Sequence, residues 1–248
     1  MGLKKISIST WLPIAMVLLA AVSLTITSFF SYHDTREVLL KDAELRLTGL
    51  ASDRRSKLDL WLEGVDKELE TISEASAAVT ALEDFSYAWS GLSSEGSATA
   101  TLQRQFIDEN PFALGDRDKL EVLKTGGRYS QAHQTHHPVL RTLGERGGYY
   151  DLFLIDNSGN VIYSVEKEAD FATNILTGQY KSSGLSVAFQ KVVQIANGEL
   201  SETAAFTDFE PYAPSAGAPA SFVGRPIFSQ FGNMAGAVVL QLPTDKVA

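Results

Sequence analysis

Cysteine is absent from the 248 residues. That excludes disulfides, cysteine nucleophiles and thiolate metal sites, and it fits either a reducing compartment or a bacterial periplasmic protein that avoids thiols. Basic charge is also scarce. Lys and Arg number 21 against 30 Asp and Glu, for a net charge of −9. No basic face appears, so no nucleic-acid partner is expected. The chain lacks a G-x-S-x-G elbow, a G-x-x-x-x-G-K-[ST] phosphate loop, a G-x-G-x-x-G turn and an H-E-x-x-H pair. Its carboxylates are scattered and no nucleophile stands beside a base, so neither enzyme activity nor a cofactor is expected.

Charge is missing altogether from one long run. The 27 residues from Ile6 to Tyr32 carry none, and as a helix they would reach roughly 40 Å, more than the ~30 Å hydrocarbon core of a bilayer. Lys4 and Lys5 precede the run, which puts the N-terminus on the cytoplasmic side. Trp11 at one end, with Phe29, Phe30 and Tyr32 at the other, occupies interfacial positions. A cleaved signal peptide would need a shorter apolar core; "LAAVS" is a faint cleavage candidate, but the apolar run continues past it. The division expected is a cytoplasmic N-terminus over 1–10, one membrane-spanning helix over 11–32, and residues 33–248 in the periplasm. With Lys4 and Lys5 removed, the net charge over residues 34–248 becomes −11, which disperses that part and keeps it from anionic headgroups.

Proline is absent from Asp34 to Leu92, and glycine occurs there only at Gly49, Gly64 and Gly91. Leu58, Leu62, Val65, Leu69, Ile72 and Val79, with Ser76 in the intervening slot, recur at three- and four-residue steps, the stripe of a coiled-coil-like helix. The membrane helix is expected to run on into this stalk. The stripe is equally what a lever or a helix packed on its own domain would show. "SGLSSEGSATA" (Ser90–Ala100) has the bias of a turn, and a further helical stretch through Arg104 and Phe106 stops at Pro111. Residues 115–148 read as short helices punctuated by glycines, with a boundary at Pro138 because proline disfavours helix at His137.

A sheet follows. "DLFLID" and "VIYSV" are apolar on both faces, as central strands are, and Asp156-Asn157-Ser158-Gly159-Asn160 between them suits a tight turn. "SGLSVAFQKVVQIANG" (Ser183–Gly198) is a helix with Leu185, Ala188, Phe189, Val192 and Ile195 on one face, stopped at Asn197-Gly198. "TAAFTDF", "ASFVGRPIF" and "AGAVVLQL" are three more strands, the last two joined as a hairpin through "SQFGNM". Pro226 calls for an edge, bulge or strand end. The fold class is therefore α+β: a transmembrane helix running into a long stalk helix and helical region over 33–148, then a PAS-like five-stranded antiparallel sheet over 149–248 with helices on one side.

On these residues, the block "GYYDLFLIDNSGNVIYSVEKEADFATNIL" through "FTDFEPYAPSAGAPASFVGRPIFSQFGNMAGAVVLQLP" resembles a Cache sensor, specifically the first, membrane-distal module of a double-Cache ectodomain from bacterial methyl-accepting chemotaxis proteins. The resemblance implies a small-molecule-binding module, for an amino acid, organic acid or amine, coupled by helices to a cytoplasmic output and working as a homodimer through its stalk. Nucleotide cyclases and histidine kinases use similar front ends. Such a receptor would continue into a second module and an output domain, whereas this sequence stops at Ala248. It therefore reads as a sensing fragment or a truncated product. An anchored scaffold that binds no small molecule is the reading from another class.

Candidate ligand contacts are Tyr129, His133 and His137 ahead of the sheet, Tyr150 and Asp151 at its start, and Asp170, Tyr180, Asp208, Tyr212 and Arg225 in its later loops. Arg225 could fork onto a carboxylate, and Asp151 or Asp208 could hold an ammonium. For each, a surface polar group or a tyrosine packed on the core is the plainer reading. "HQTHH" (His133 to His137) has imidazoles at helical spacing, but Pro138 disturbs the helix and no third ligand is in view, so no metal is expected. A pH-responsive cluster and three solvated histidines are the other readings of His133, His136 and His137.

Overall fold

A computed structural model describes residues 8–123 and 126–244. Lys4 and Lys5, and with them the sequence basis for orientation, lie outside the described residues. The chain divides into two units, 1–60 and 61–248. In the first, the described residues form one continuous helix, part of α1 (Ile8–Glu74). It is long and apolar enough to cross a membrane. Beyond the apolar run, Arg46 pairs with Asp42 and Lys57 with Asp53, each at 2.8 Å and four residues apart. Such exposed pairs contribute about 0.3–0.5 kcal/mol each to the helix.

The second unit holds the rest of α1 and everything after it. α1 stops at Ala75, whose extended backbone (φ −65, ψ 130) starts α2 (Ser76–Glu95). The stripe read from the sequence is therefore split: Val65, Leu69 and Ile72 are buried on α1, while Val79 stands on the second helix. Over that span the stripe is core packing within the unit. α2 also runs through most of the segment expected as a turn, which is confined to Gly96 and Ser97 before α3 (Ala98–Gln103) and a π-helical turn over Arg104–Asp108.

α4 (Arg128–Gly147) is a single helix with Pro138 inside it, against the boundary expected there. An internal proline costs about 3 kcal/mol through its missing N–H and its clash with the preceding turn. Here tertiary contacts on both sides of it outweigh that cost: Tyr129, His133, His137 and Leu140 are all buried. Gly148, in the left-handed conformation (φ 67), closes the helix.

The sheet comprises β1 (Asp151–Asp156), β2 (Val161–Ser164), β3 (Ala205–Phe206), β4 (Glu210–Tyr212), β5 (Ala218–Phe228) and β6 (Met234–Leu242), with α5 (Gly184–Ala196) between β2 and β3. The order is β2-β1-β6-β5-β3, with β4 also pairing β5. All pairs are antiparallel. β4 was not expected, and β3 is shorter than its apolar run suggested. The β1–β2 turn forms as its residues predict: Asp156 Oδ1 accepts from the Ser158 and Asn160 amides at 2.9 Å. Gly159 (φ +82) is required there twice over, since a Cβ would also lie 2.6 Å from Leu176.

Residues alternate between two cores, as the two-residue strand period demands. Leu152, Leu154, Val238 and Leu240 pack with α1, α2 and α4. Phe153, Ile155, Ala237 and Val239 pack with Leu185, Ala188, Phe189 and Val192 of α5. Helices therefore cover both faces, not one. Pro226 fits its local expectation. Phe222 accepts from Thr207 toward the β3 side, so two-residue alternation turns Pro226 to that same side. β3 pairs only with Val223 and Gly224, and a residue with no N–H costs nothing on that unpaired edge.

Candidate functional site

The ten candidate residues separate into three groups. Tyr129, His133 and His137 lie on α4 in the first core. The Tyr129 hydroxyl donates to the Ile162 carbonyl at 2.7 Å, and the two imidazoles stack at 4.2 Å. His137 Nε2 faces the Asp118 carbonyl at 2.6 Å and must carry the proton, so Nδ1 accepts from the Tyr163 hydroxyl at 2.7 Å. Burial, reinforced by the nearby Lys167 ammonium, lowers His137 to about 3 and His133 well below the usual imidazole value. Neither is solvated, and neither charges near neutral pH. His136 Nε2 lies 2.7 Å from Asp84. Among the described residues, no three His, Asp or Glu side chains converge as metal ligands.

Arg225, on β5, is nearly buried and committed. Its Nε donates to Asp66 Oδ1 at 3.1 Å and its Nη1 lies 3.3 Å from Glu70 Oε1, both on α1. It ties sheet to helix and is not free to fork onto a ligand. Asp208 is exposed and accepts from the adjacent Phe209 amide.

The remaining five, Tyr150, Asp151, Asp170, Tyr180 and Tyr212, come together on the α5 face where β1 begins. The side chains of Asp151 and Gln241, paired across β1 and β6, share this face with Phe153 and Val239. Asp151 Oδ1 accepts from the Leu152, Val165 and Glu166 amides at 2.6, 2.9 and 3.2 Å, and its Oδ2 accepts from Ser164 at 2.7 Å. Glu168 accepts from Tyr150 at 2.7 Å and from Ser215 at 2.6 Å. Gln241 Nε2 donates onward to Ser215 at 3.2 Å. The Tyr212 hydroxyl donates to Asp170 Oδ2. Two buried oxygens here make no hydrogen bond of good geometry: Asp170 Oδ1 and Gln241 Oε1, on side chains 0% and 3% exposed; the Asp170 and Phe171 amides are the nearest donors to the Asp170 carboxyl group.

Electrostatics sharpen the picture. Burial pushes Asp170 up to about 7, with the Glu168 charge and against the Tyr212 hydrogen bond and the Asp170 and Phe171 amides. Burial and the Asp170 charge push Asp151 well above the carboxylate range. Burial first, then the Asp170 and Glu168 charges, raises Tyr180, which is partly exposed. Lys167 lies behind the cluster. Its Nζ donates to the Val165 carbonyl at 3.0 Å and rests 5.5 Å from the Tyr163 ring centre, and burial lowers it to about 7. The backbone is strained around the cluster as well. Lys167, Ala172 and Ala216 adopt positive φ of 55, 60 and 54, bracketing Glu168–Asp170 and following Ser215.

Sequence reasoning missed Glu168, Lys167, Ser164, Ser215 and Gln241. Gln241 had a signal: it is the one polar side chain in "AVVLQL", where both strand faces are otherwise apolar. Glu168 and Lys167 had none, because "EKEAD" after a strand reads as a solvated loop.

No protein-family model matches the chain, and no curated protein is significantly similar to it. Solved structures resemble it partially. The sensor domain of the histidine kinase DctB from Vibrio cholerae is 16% identical with a TM-score of 0.36, covering 68% of this chain and 56% of that one. An extracellular ligand binding receptor from Desulfohalobium retbaense is 17% identical with a TM-score of 0.32, over 60% and 24%. The ligand-binding domain of the Campylobacter jejuni chemoreceptor Tlp3, in complex with 4-methylisoleucine, is 12% identical with a TM-score of 0.34, over 77% and 62%. The chain thus spans less than two thirds of each of these three. Superpositions of this extent assign neither a function nor a ligand.

Proposed function

We propose that this chain is the ligand-sensing part of a single-pass sensor of the bacterial inner membrane, with residues 33–248 in the periplasm. Residues 11–32 span the bilayer, 33–148 form the helical stalk and helical region, and 149–248 form the sensor module, of the kind that precedes the output domain of a chemoreceptor or a histidine kinase. The observation that carries this reading is the α5-face cluster. It holds buried polar groups with two acceptors left open, inside an apolar core and under strained backbone, and such features gather at ligand sites.

Signalling would follow from differential binding. A ligand satisfying Asp170 and Gln241 favours the arrangement of residues 165–183 that closes on it. Tyr150 reports that change: its hydroxyl is bound to Glu168 while its neighbour Tyr149 donates to Glu68 of α1 at 2.7 Å. α1 runs unbroken from there to Ile8. In a homodimer paired through the exposed leucines Leu40, Leu47 and Leu50 of the stalk, a small shift of one helix against its partner would be the output.

Thermal-shift screening of the full chain in detergent, against amines, amino acids and organic acids, tests the proposal. A ligand at a hundred times its dissociation constant adds about 2.7 kcal/mol and raises the unfolding temperature. A flat response over the whole panel refutes ligand sensing and favours an anchored scaffold.

A further inference from the structure

We infer that the α5-face cluster selects a small organic cation, a primary amine with an apolar body, and discriminates against the corresponding α-amino acid. This rests on the sensing role proposed above and adds the chemistry of what is sensed. The cluster contains three buried carboxyl groups, on Asp151, Glu168 and Asp170. Asp151 and Glu168 are occupied by amides and hydroxyls that carry no charge. Gln241 Oε1 is an acceptor, and Asp170 Oδ1 becomes one when the carboxyl group gives up its proton to a base such as an amine. A ligand that completes them must bring donors, and an ammonium brings three.

Among the described residues, Arg117 Nη1 donates to the Lys167 carbonyl at 2.9 Å, and the other cations are engaged or exposed. Arg225 is held by Asp66 and Glu70. Lys191 Nζ donates to the Phe206 carbonyl at 2.8 Å. Lys167 Nζ points to the Phe106 and Tyr163 rings and the Val165 carbonyl. Lys181 is exposed. The donors of the cluster are spent internally, Tyr212 on Asp170, Tyr150 and Ser215 on Glu168, and Gln241 Nε2 on Ser215. The carboxylate of an amino acid would therefore enter beside three acids with nothing to pair it, and a buried unpaired charge is strongly disfavoured. The cluster borders the second core, in which Tyr212 and Phe222 pack edge to face at 4.9 Å, so an apolar body suits it.

Calorimetric titration of the full chain in lipid nanodiscs, with matched pairs that differ only by a carboxylate, decides the matter. The probes are isobutylamine against valine, and isopentylamine against leucine, with isobutyrate as the acid. The expected result is that each amine binds at least about tenfold more tightly than its amino acid, and that isobutyrate gives no heat. Asp170→Asn abolishes amine binding. Gln241→Met, which removes the second acceptor and keeps the chain length, weakens it several-fold, so the result does not depend on one variant folding. Valine or leucine binding as tightly as its amine overturns the inference and leaves the sensing role standing. Isobutyrate as the best ligand does the same. Absence of binding by amines, amino acids and acid alike overturns both, and water then satisfies the open acceptors.

Discussion

Tyr212 donates its hydroxyl to one carboxyl oxygen of Asp170 and leaves the other, equally buried, without a partner. The pair spans 42 residues of sequence and joins β4 to the segment after β2. A half-satisfied carboxyl group is costly in a folded core, and its persistence in the same cluster as the open Gln241 Oε1 is the reason to look for a ligand there.

Asp170 is held up to about 7 mainly by burial, so the native protein retains a proton that the unfolded chain loses near pH 4. Its contribution to stability falls as pH rises from about 4 to about 7 and is constant above that. Asp170→Asn cannot titrate. In urea unfolding, the stability of the variant relative to the parent should move in the variant's favour by up to about 4 kcal/mol between pH 4 and pH 8. Glu166 and Lys167, both shifted to about 7, are common to the two proteins. A pH-independent difference would show that Asp170 is ionised in the native state throughout.

Tyr163→Phe deletes the only donor to His137 Nδ1 among the described residues and leaves a buried acceptor unpaired. The expected cost is about 1–3 kcal/mol, read by thermal unfolding at pH 7. A change below about 0.5 kcal/mol would contradict the assigned hydrogen bond between Tyr163 and His137 Nδ1. NMR of the ring nitrogens checks this independently, and should find Nε2 protonated and Nδ1 bare.

Arg225→Met keeps the buried stem and removes the donors to Asp66 and Glu70. Stability should drop by about 1–3 kcal/mol, while ligand affinity stays within about twofold, because Arg225 faces α1 and not the α5-face cluster. Loss of binding without loss of fold would relocate the site to the groove of about 470 Å³ that Arg225 helps to line with Val79, Glu202 and Phe228.

The sheet was legible wherever two-residue periodicity and turn chemistry agreed. "DLFLID" and "VIYSV" pair as read, because Asp156, Gly159 and Asn160 permit little else between them. α5 was legible from cap to cap: the Ser183 side chain accepts from the Ser186 amide and the helix stops at Asn197. Pro138 points away from the observed helix, because a local penalty of about 3 kcal/mol carries no information on the four buried side chains that hold α4 together. β4 escaped because "EPY" carries no strand pattern and forms only against Ala218–Ala220. Five of the ten candidates fall in the proposed site. Tyr150, Asp151, Asp170, Tyr180 and Tyr212 converge, while the histidines and Arg225 are spent on structure. Charge alone could not separate them, since a buried Glu168 and an exposed Asp208 look alike until the chain is folded.

Hydrogen exchange on the full chain in nanodiscs, with and without saturating isobutylamine, tests most directly whether the cluster around Asp170 receives the ligand. Slowed exchange is expected over residues 165–183 and around Tyr212, with a smaller effect on α1 near Glu68. Unchanged exchange in those segments, or protection confined to the groove beside Arg225, would contradict it.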